Sequence, residues 1–211
     1  MSASGVEIRG ERVILRDPLP EDADASIRWA TVETEWQNWD APWEGFEVVP
    51  PERIEQSRAS HLARIAEPLP TPRKTLWVQL IGGPLLGWVS RYHDDPDDRS
   101  TWVGINTCES AYWNQGLGTE ALRLWLGYLF TNLKWQEASS CPTQVGLRRI
   151  RMGTWSGNGR MVRCAEKCGL RLVSRSVGLR QVRGRRYDGL EFELLWQETS
   201  SCPTGESRRP G

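Results

Sequence analysis

The sequence has few of the features that mark several large classes of protein. In its 211 residues no apolar run approaches the roughly 18 residues that a membrane-spanning helix needs. Residues 1–7 do not form a basic region followed by an apolar core, so we expect a cytoplasmic protein without a membrane partner. Lys plus Arg equals Asp plus Glu at 27 each, which leaves no cationic surplus for binding nucleic-acid phosphates, and we expect no nucleic-acid partner.

Cysteine and histidine are also sparse, at five and two residues. The number of cysteines is odd and none of them forms a C-x-x-C pair, so neither a disulfide framework nor a metal site is predicted. Tryptophan, by contrast, occurs 12 times. Some of these side chains should fill the core, and an exposed cluster would indicate contact with a ligand.

The length favours a single domain, which we place at residues 1–198, with a flexible tail at 199–211. One short segment, 135–143, recurs almost unchanged at 196–204. Two copies of nine residues are too few for a solenoid. The first copy lengthens a helix-to-strand connection, so we interpret 134–145 as a loop insertion and assign the repeat no function.

Hydrophobic periodicity predicts that strands and helices occur together in one α+β domain. Three consecutive antiparallel strands are predicted between Thr75 and Thr107, because two apolar runs flank Gly82-Gly83-Pro84 and a third follows an acidic turn. Further helices should start near Pro20, Pro50, Gly118 and Asn158, each with a breaker or capping residue at its start. The predicted strands cover 11–17, 75–81, 85–92, 101–107, 149–155, 170–182 and 186–196.

The turn 114–119 carries the clearest chemical signal. Its two glycines allow consecutive backbone N–H groups to approach an anion at the positive end of the following helix, and Thr119 adds a hydroxyl. The nucleoside-triphosphate pattern G-x-x-x-x-G-K-[ST] is absent. Gly116, Gly118 and Ala121 do match G-x-G-x-x-A, so a nicotinamide-dependent oxidoreductase is one alternative, although that fold has an apolar parallel strand running directly into the first glycine.

In order and spacing, several segments resemble the GNAT N-acetyltransferase superfamily, and within it the RimJ/RimL-like ribosomal-protein N-terminal acetyltransferases. The segments are 11–16, 112–122, 158–170 and 184–189. The resemblance covers about residues 7–196 and implies a GNAT-type α+β fold, with a central mixed and mostly antiparallel sheet flanked by helices. It also implies transfer of an acetyl group from acetyl-CoA, as co-substrate, to a primary amine by direct attack in a ternary complex. The expected partner is therefore a protein N-terminus or a small-molecule amine, with a homodimer as an open option for assembly.

The same resemblance implies roles for particular residues. Backbone groups between Gln115 and Thr119 would hold the CoA pyrophosphate, and the strand end from Thr107 to Glu109 would pair with the pantetheine arm. Asn158 and its helix would meet the rest of the cofactor and take part in catalysis. The predicted cofactor-binding residues are Thr107, Cys108, Gln115, Gly116, Leu117, Gly118, Thr119, Asn158 and Arg163.

The sequence departs from the superfamily where many members have a tyrosine that protonates the departing thiolate. That position is Ala165, so the general acid is unassigned, and Cys164 and Ser156 are nearby candidates. A catalytically silent module that binds acyl-CoA is therefore a second alternative. A CoA thiolate is nevertheless a tolerable leaving group with help from water.

The acceptor reaches the site as an ammonium ion and must lose a proton before it attacks, so a carboxylate base is expected. We predict Glu109, at the strand end beside the acyl group, for this role. The connection 33–44 interleaves acidic and aromatic residues, a composition that suits a cationic amine. Trp36, Trp39 and Trp43 are its predicted substrate-binding residues.

Overall fold

The computed structural model describes residues 5–45, 48–136 and 144–196. It is an eight-stranded sheet with four α-helices and a separate two-stranded sheet. The strands are β1 (Glu7–Arg9), β2 (Val13–Arg16), β3 (Thr75–Leu80), β4 (Leu85–Asp95), β5 (Ser100–Thr107), β6 (Lys134–Gln136), β7 (Gln144–Gly146), β8 (Arg149–Trp155), β9 (Arg171–Val182) and β10 (Arg185–Leu195). The helices are α1 (Ala23–Thr31), α2 (Ile54–Ala66), α3 (Leu117–Asn132) and α4 (Gly159–Lys167).

The large sheet has the strand order β1-β2-β3-β4-β5-β8-β10-β9. Every neighbouring pair in it is antiparallel except β5 and β8. The prediction of an α+β fold with a mixed, mostly antiparallel sheet is confirmed. A doubly wound nucleotide-binding fold needs a largely parallel sheet, so the topology argues against the oxidoreductase alternative.

The parallel pair β5–β8 is joined along only part of its length. Its register runs from Ser100↔Arg149 to Trp102↔Arg151 and no further, although β5 continues to Thr107 and β8 to Trp155. Beyond that point the two strands are not paired with each other. The middle of the sheet is therefore open, and the backbones of β5 and β8 are not paired with each other across this opening.

Alternation along β3 places the helices on two different faces of the sheet. Leu76 and Val78 belong to the main core with Leu122 and Trp125 of α3. Trp77, between them in sequence, belongs to a second cluster with Trp29 of α1, whose ring stacks on it at 5.5 Å. Helices α3 and α4 therefore cover one face of the sheet, and α1 covers the other.

Two local features differ from the sequence-based expectations. β1 was not predicted, because a three-residue strand is too short to show a period, and it pairs with β2. The ends of the expected loop insertion 134–145 form β6 and β7, which pair from Lys134↔Gly146 to Gln136↔Gln144. Most of both repeat copies and the predicted tail lie outside the described residues. None of the described helices is both long and apolar enough to cross a membrane.

Candidate active site

The opening between β5 and β8 is a cleft of about 630 Å³ that passes through the sheet. Neighbouring residues of β5 turn to opposite sides of it. Ile105 and Thr107 lie toward Gly118 of α3, whose Cβ position would be 3.9 and 3.4 Å from their side chains, whereas Gly104 lies against Ser90 and Tyr92 of β4. The cleft therefore has two ends of different chemistry, one on each face of the sheet.

We call the side toward α3 and α4 the glycine end. It consists of the start of α3 and cationic residues of α4, which are Gly116, Leu117, Gly118, Thr119, Arg163 and Lys167. Gly116 is left-handed at φ 83°, and no side chain of the described chain caps the helix there. The first N–H groups of α3 are thus available to an anion, with the positive end of the helix dipole and two cations beside them. These residues fit a CoA pyrophosphate.

The turn before α3 is held by a residue far away in sequence. Arg12 of the β1–β2 connection donates from Nη1 to the carbonyl of Gln115 at 2.8 Å. It also forms an ion pair with Glu120 at 3.1 Å, and Glu120 accepts from the backbone N–H of Arg12 at 2.8 Å. These contacts lower the pKa of the Glu120 carboxyl against the opposing effect of burial. The first turn of α3 is therefore tied to the start of β2.

Two cysteines, Cys164 of α4 and Cys168 directly after that helix, lie beside the glycine end. Thr119 donates its hydroxyl to Cys164 Sγ at 3.7 Å, and Cys168 Sγ lies 3.5 Å from the carbonyl of Thr119. The contact with Cys168 lowers the pKa of the Cys164 thiol. Cys164 lines the cleft, whereas Ala165 is fully buried in the main core. Ser156, the other candidate acid, accepts from the Asp188 N–H at 3.0 Å and is not among the cleft residues.

The opposite side is the acidic end. Its floor is formed by side chains of β4 and β5, and its wall by the connection between α1 and α2. The lining residues are Trp36, Trp39, Asp40, Ala41, Glu44, Ser90, Tyr92, Gly104 and Asn106. Apart from the carboxylates of Asp40 and Glu44, none of these side chains carries a charge at neutral pH. The two carboxylates make this end more suitable for a cationic group than for an anion.

Asp40 is the carboxylate that the protein environment affects most at this end. Desolvation by the surrounding cleft raises the pKa of Asp40, the nearby Asn106 side chain opposes this shift, and the charge of Glu44 adds to it. Burial together with the nearby Asp40 also raises the pKa of Tyr92, so the phenol stays protonated at neutral pH. The backbone N–H of Asp40 donates to the carbonyl of Trp36 at 3.3 Å.

A stack of three side chains crosses the cleft. The guanidinium carbon of Arg160, on α4, lies 4.1 Å from the ring centroid of Trp39 and 4.0 Å from that of Trp113. Trp113 is itself fixed by a 2.7 Å hydrogen bond from its Nε1 to the Thr107 carbonyl. Burial lowers the pKa of Arg160, but a guanidinium remains charged at any physiological pH. The stack joins the α1–α2 connection to the start of α3.

Asn158 performs two structural tasks. Its Oδ1 accepts from the backbone N–H of Met161 at 3.1 Å, which caps α4 as predicted. Its Nδ2 donates to the Trp39 carbonyl at 2.7 Å, and Nε1 of Trp155 donates to the same carbonyl at 3.1 Å. Asn158 lines the cleft, and it also positions the wall of the acidic end.

The structure brings most of the predicted site residues together. The predicted residues that line the cleft are Trp36, Trp39, Thr107, Gly116, Leu117, Gly118, Thr119, Asn158 and Arg163. Gln115 is adjacent, with its side chain donating to the Ala111 carbonyl at 3.0 Å. Trp43 lies against Trp155, and Arg180 covers its ring at 4.3 Å, so Trp43 packs outside the lining.

Cys108 and Glu109 are not among the cleft residues, contrary to the expected positions of their side chains. Cys108 is fully buried in the second core cluster, and its N–H donates to the Leu86 carbonyl at 2.7 Å. Glu109 is 6% exposed and accepts from Trp29 Nε1 at 2.5 Å and from Arg28. Both donors belong to α1, so the carboxylate of Glu109 anchors that helix. Its role as a base stays a prediction.

Sequence reasoning did not single out Asp40, Tyr92, Asn106 or Arg160. Asp40 was one of several acidic residues in the connection 33–44, and nothing local distinguished it. Asn106 could have been found from the period of two along β5, which places it on the same face as Gly104. Arg160 carried no signal, because its two aromatic partners lie 121 and 47 positions away in the chain (160 − 39 and 160 − 113).

The family model for the acetyltransferase (GNAT) domain matches residues 12–171, about three quarters of the chain. The chain therefore belongs to the GNAT acetyltransferase family. The match includes both ends of the cleft and stops at the start of β9. No curated protein matches the chain in a sequence comparison.

Solved structures of GNAT proteins share the fold. An acetyltransferase of the GNAT family from Bacillus anthracis is 20% identical, with 90% of this chain and 98% of that chain covered and a TM-score of 0.64. RimL, the ribosomal L7/L12 α-N-protein acetyltransferase in complex with coenzyme A, is 12% identical, with coverages of 90% and 98% and a TM-score of 0.62. Spermidine N-acetyltransferase from Vibrio cholerae, in complex with CoA and spermine, is 16% identical, with coverages of 88% and 96% and a TM-score of 0.62.

Proposed function

We propose that the protein transfers the acetyl group of acetyl-CoA to a primary amine that is positively charged before it reacts, in one ternary complex. The observation that carries this proposal is the opposite chemistry of the two cleft ends. Uncapped N–H groups and the cations Arg163 and Lys167 suit the phosphates of CoA, and the carboxylates of Asp40 and Glu44 suit an ammonium ion.

The path between the two ends supports direct transfer. A pantetheine arm that starts at the first turn of α3 can enter between β5 and β8, where the two strands are not paired with each other beyond Trp102 and Arg151. The acyl group would then lie near Gly104 and Asn106, within the same opening as the amine. Such an arrangement lowers the entropic cost of bringing two substrates together and needs no covalent enzyme intermediate.

We place the acceptor among protein N-termini and small-molecule amines, with the RimJ/RimL-like branch as the proposed relationship. A structural neighbour is described as acting on the N-terminus of ribosomal L7/L12 and another as a spermidine acetyltransferase. Both substrates are cationic amines, in agreement with the acidic end. The aromatic wall formed by Trp36 and Trp39 adds indole faces that attract the same charge.

The silent-module alternative rests on Ala165. Ala165 is buried in the core and is not among the cleft residues, so it supplies no acid to the cleft. Cys164 does line the cleft, and water can protonate the departing thiolate. We therefore favour an active enzyme.

Two measurements test the proposed function. Acetyl-CoA should raise the melting temperature of the protein and NADH should not. The glycine end belongs to a mostly antiparallel sheet, whereas nicotinamide cofactors are bound by a largely parallel one. A thiol-release assay with acetyl-CoA should then show activity with at least one member of a panel of N-terminal peptides, polyamines and aminosugars. Stabilisation by acetyl-CoA without thiol release from any amine would favour the silent module.

A further inference from the structure

We propose that Asp40 accepts the proton of the acceptor ammonium ion and is the general base of the reaction. This inference rests on the proposed function and deepens it at the same site. It gives the acidic end a defined chemical task, and it assigns that task to the connection between α1 and α2 instead of to the strand end that carries Glu109.

The position of Asp40 is the first argument. Asp40 lines the same end of the cleft as Asn106, which lies on β5 one position before Thr107 and beyond the last residue that pairs with β8. Asp40 is therefore at the edge of the opening through which an acyl group would reach the acidic end. Glu44 lines the same end, four positions further along the connection.

Asp40 is also held in place from several directions. Its backbone N–H donates to the Trp36 carbonyl at 3.3 Å. The preceding residue, Trp39, is fixed through its carbonyl by Asn158 at 2.7 Å and through its ring by Arg160 at 4.1 Å. A base that must meet a proton at hydrogen-bonding distance benefits from such fixation. Glu109, by comparison, has its carboxylate occupied by Arg28 and Trp29.

Glu44 is the one other carboxylate that lines this end of the cleft in the described residues. Glu44 on its own segment carries a negative charge and adds to the raised pKa of the Asp40 carboxyl. Tyr92 on β4 and Cys108 at the end of β5 are neutral at physiological pH, because burial raises the pKa of each. Arg160 on α4 is cationic, and its charge is covered by the rings of Trp39 and Trp113. A base with a raised pKa takes a proton from an ammonium ion more readily.

The step balances as follows. The carboxylate of Asp40 takes one proton from R–NH₃⁺, and the free amine attacks the thioester carbonyl, so that a C–N bond forms and the C–S bond breaks. The second nitrogen proton goes to the departing thiolate, through water, and gives CoA–SH. Asp40 then releases its proton to solvent. The net products are the acetamide, CoA–SH and one proton.

The test compares Asp40→Asn with Asp97→Asn, the same exchange in the exposed β4–β5 turn. For wild type, kcat/KM with the best amine of the panel should fall as pH drops through the raised pKa of Asp40, because the protonated carboxyl cannot act as a base. At pH 7 Asp40→Asn should lose about 100-fold in kcat/KM, a common size for general-base catalysis. The deficit should shrink as pH approaches the pKa of the ammonium ion, since free amine then no longer needs a base.

Acetyl-CoA affinity, measured by calorimetry, should be unchanged in both variants, and Asp97→Asn should keep the wild-type rate. Asp40→Glu retains a carboxylate and should keep the acidic limb of the pH profile with a lower rate. Wild-type kcat/KM and an unaltered pH profile in Asp40→Asn would overturn the role of Asp40 alone, as would a deficit that is equal at every pH. Absence of amine-dependent thiol release by the wild-type protein would overturn the proposed function together with it.

Discussion

The two ends of the cleft are built in different ways. The glycine end consists mainly of backbone from one continuous stretch, the turn 114–119 and the first turn of α3, with Gly116 at φ 83°. The acidic end is assembled from side chains of three separate segments, the α1–α2 connection, β4 and β5. Arg160 and Asn158 of α4 hold the wall of the acidic end through contacts with Trp39.

The difference suggests how the two ends can change independently. Backbone N–H groups at a helix start bind phosphate whatever the neighbouring side chains are, so the glycine end tolerates substitutions that keep its glycines. The acidic end depends on which side chains the α1–α2 connection presents, so a few substitutions there would alter the acceptor. Variants at each end should therefore affect different substrates.

The largest effect is expected from Gly116→Val. A β-branched residue in the left-handed region is strained by about 3 kcal/mol, and its Cβ would lie 3.3 Å from Arg12 Nη2. If the turn relaxes to avoid that strain, its N–H groups leave their positions, and we expect the Kd for acetyl-CoA to rise about 100-fold. Isothermal titration calorimetry measures this change.

Gly127→Val provides the matched control for that variant. Gly127 lies in the interior of α3 with no atom within 4 Å of its Cβ position. The Kd for acetyl-CoA should therefore equal the wild-type value. Equal affinities in the two variants would contradict the view that the backbone of the turn holds the cofactor.

The next effect concerns Glu109, the carboxylate that anchors α1 outside the cleft. Glu109→Gln removes the charge that accepts hydrogen bonds from Trp29 and Arg28, and the free energy of unfolding should fall by about 1 to 2 kcal/mol. Arg28 is partly exposed, which keeps the ion-pair share of this loss small. Urea denaturation measures the change.

The same variant separates the two candidate bases. If Asp40 is the base, Glu109→Gln should keep the wild-type dependence of kcat/KM on pH between about pH 6 and 9. Loss of the acidic limb in Glu109→Gln, with the limb retained in Asp40→Asn, would instead restore Glu109 to the catalytic role.

The smallest effect is expected from Trp39→Leu. It removes one of the two rings that cover Arg160, and a partly exposed cation–π contact contributes about 0.5 to 1 kcal/mol. Because Trp39 belongs to the acidic end, KM for the amine should rise about threefold, and the Kd for acetyl-CoA should change little. Steady-state kinetics measures KM for the amine, and calorimetry measures the Kd for acetyl-CoA. A larger change in Kd than in KM would contradict the assignment of Trp39 to the acidic end.

Much of the glycine end could be predicted from the sequence. Gly116, Gly118 and Thr119 lie within four positions of one another, and Asn158 begins α4 as its capping role predicts. Such motifs can be recognised without the tertiary structure because their residues are neighbours in the chain. For the acidic end, the sequence showed only a connection rich in acidic and aromatic residues, because the floor residues Tyr92 and Asn106 are more than 50 positions from Asp40.

The sequence by itself determined the α+β class, the three consecutive antiparallel strands and the helix starts, because hydrophobic period, turn residues and caps are local properties. Only the tertiary structure decided that β5 and β8 separate after Trp102 and so open the cleft. It also decided that Glu109 lies against α1 while Asp40 lines the cleft. Both outcomes depend on packing between elements distant in sequence, which no local pattern encodes.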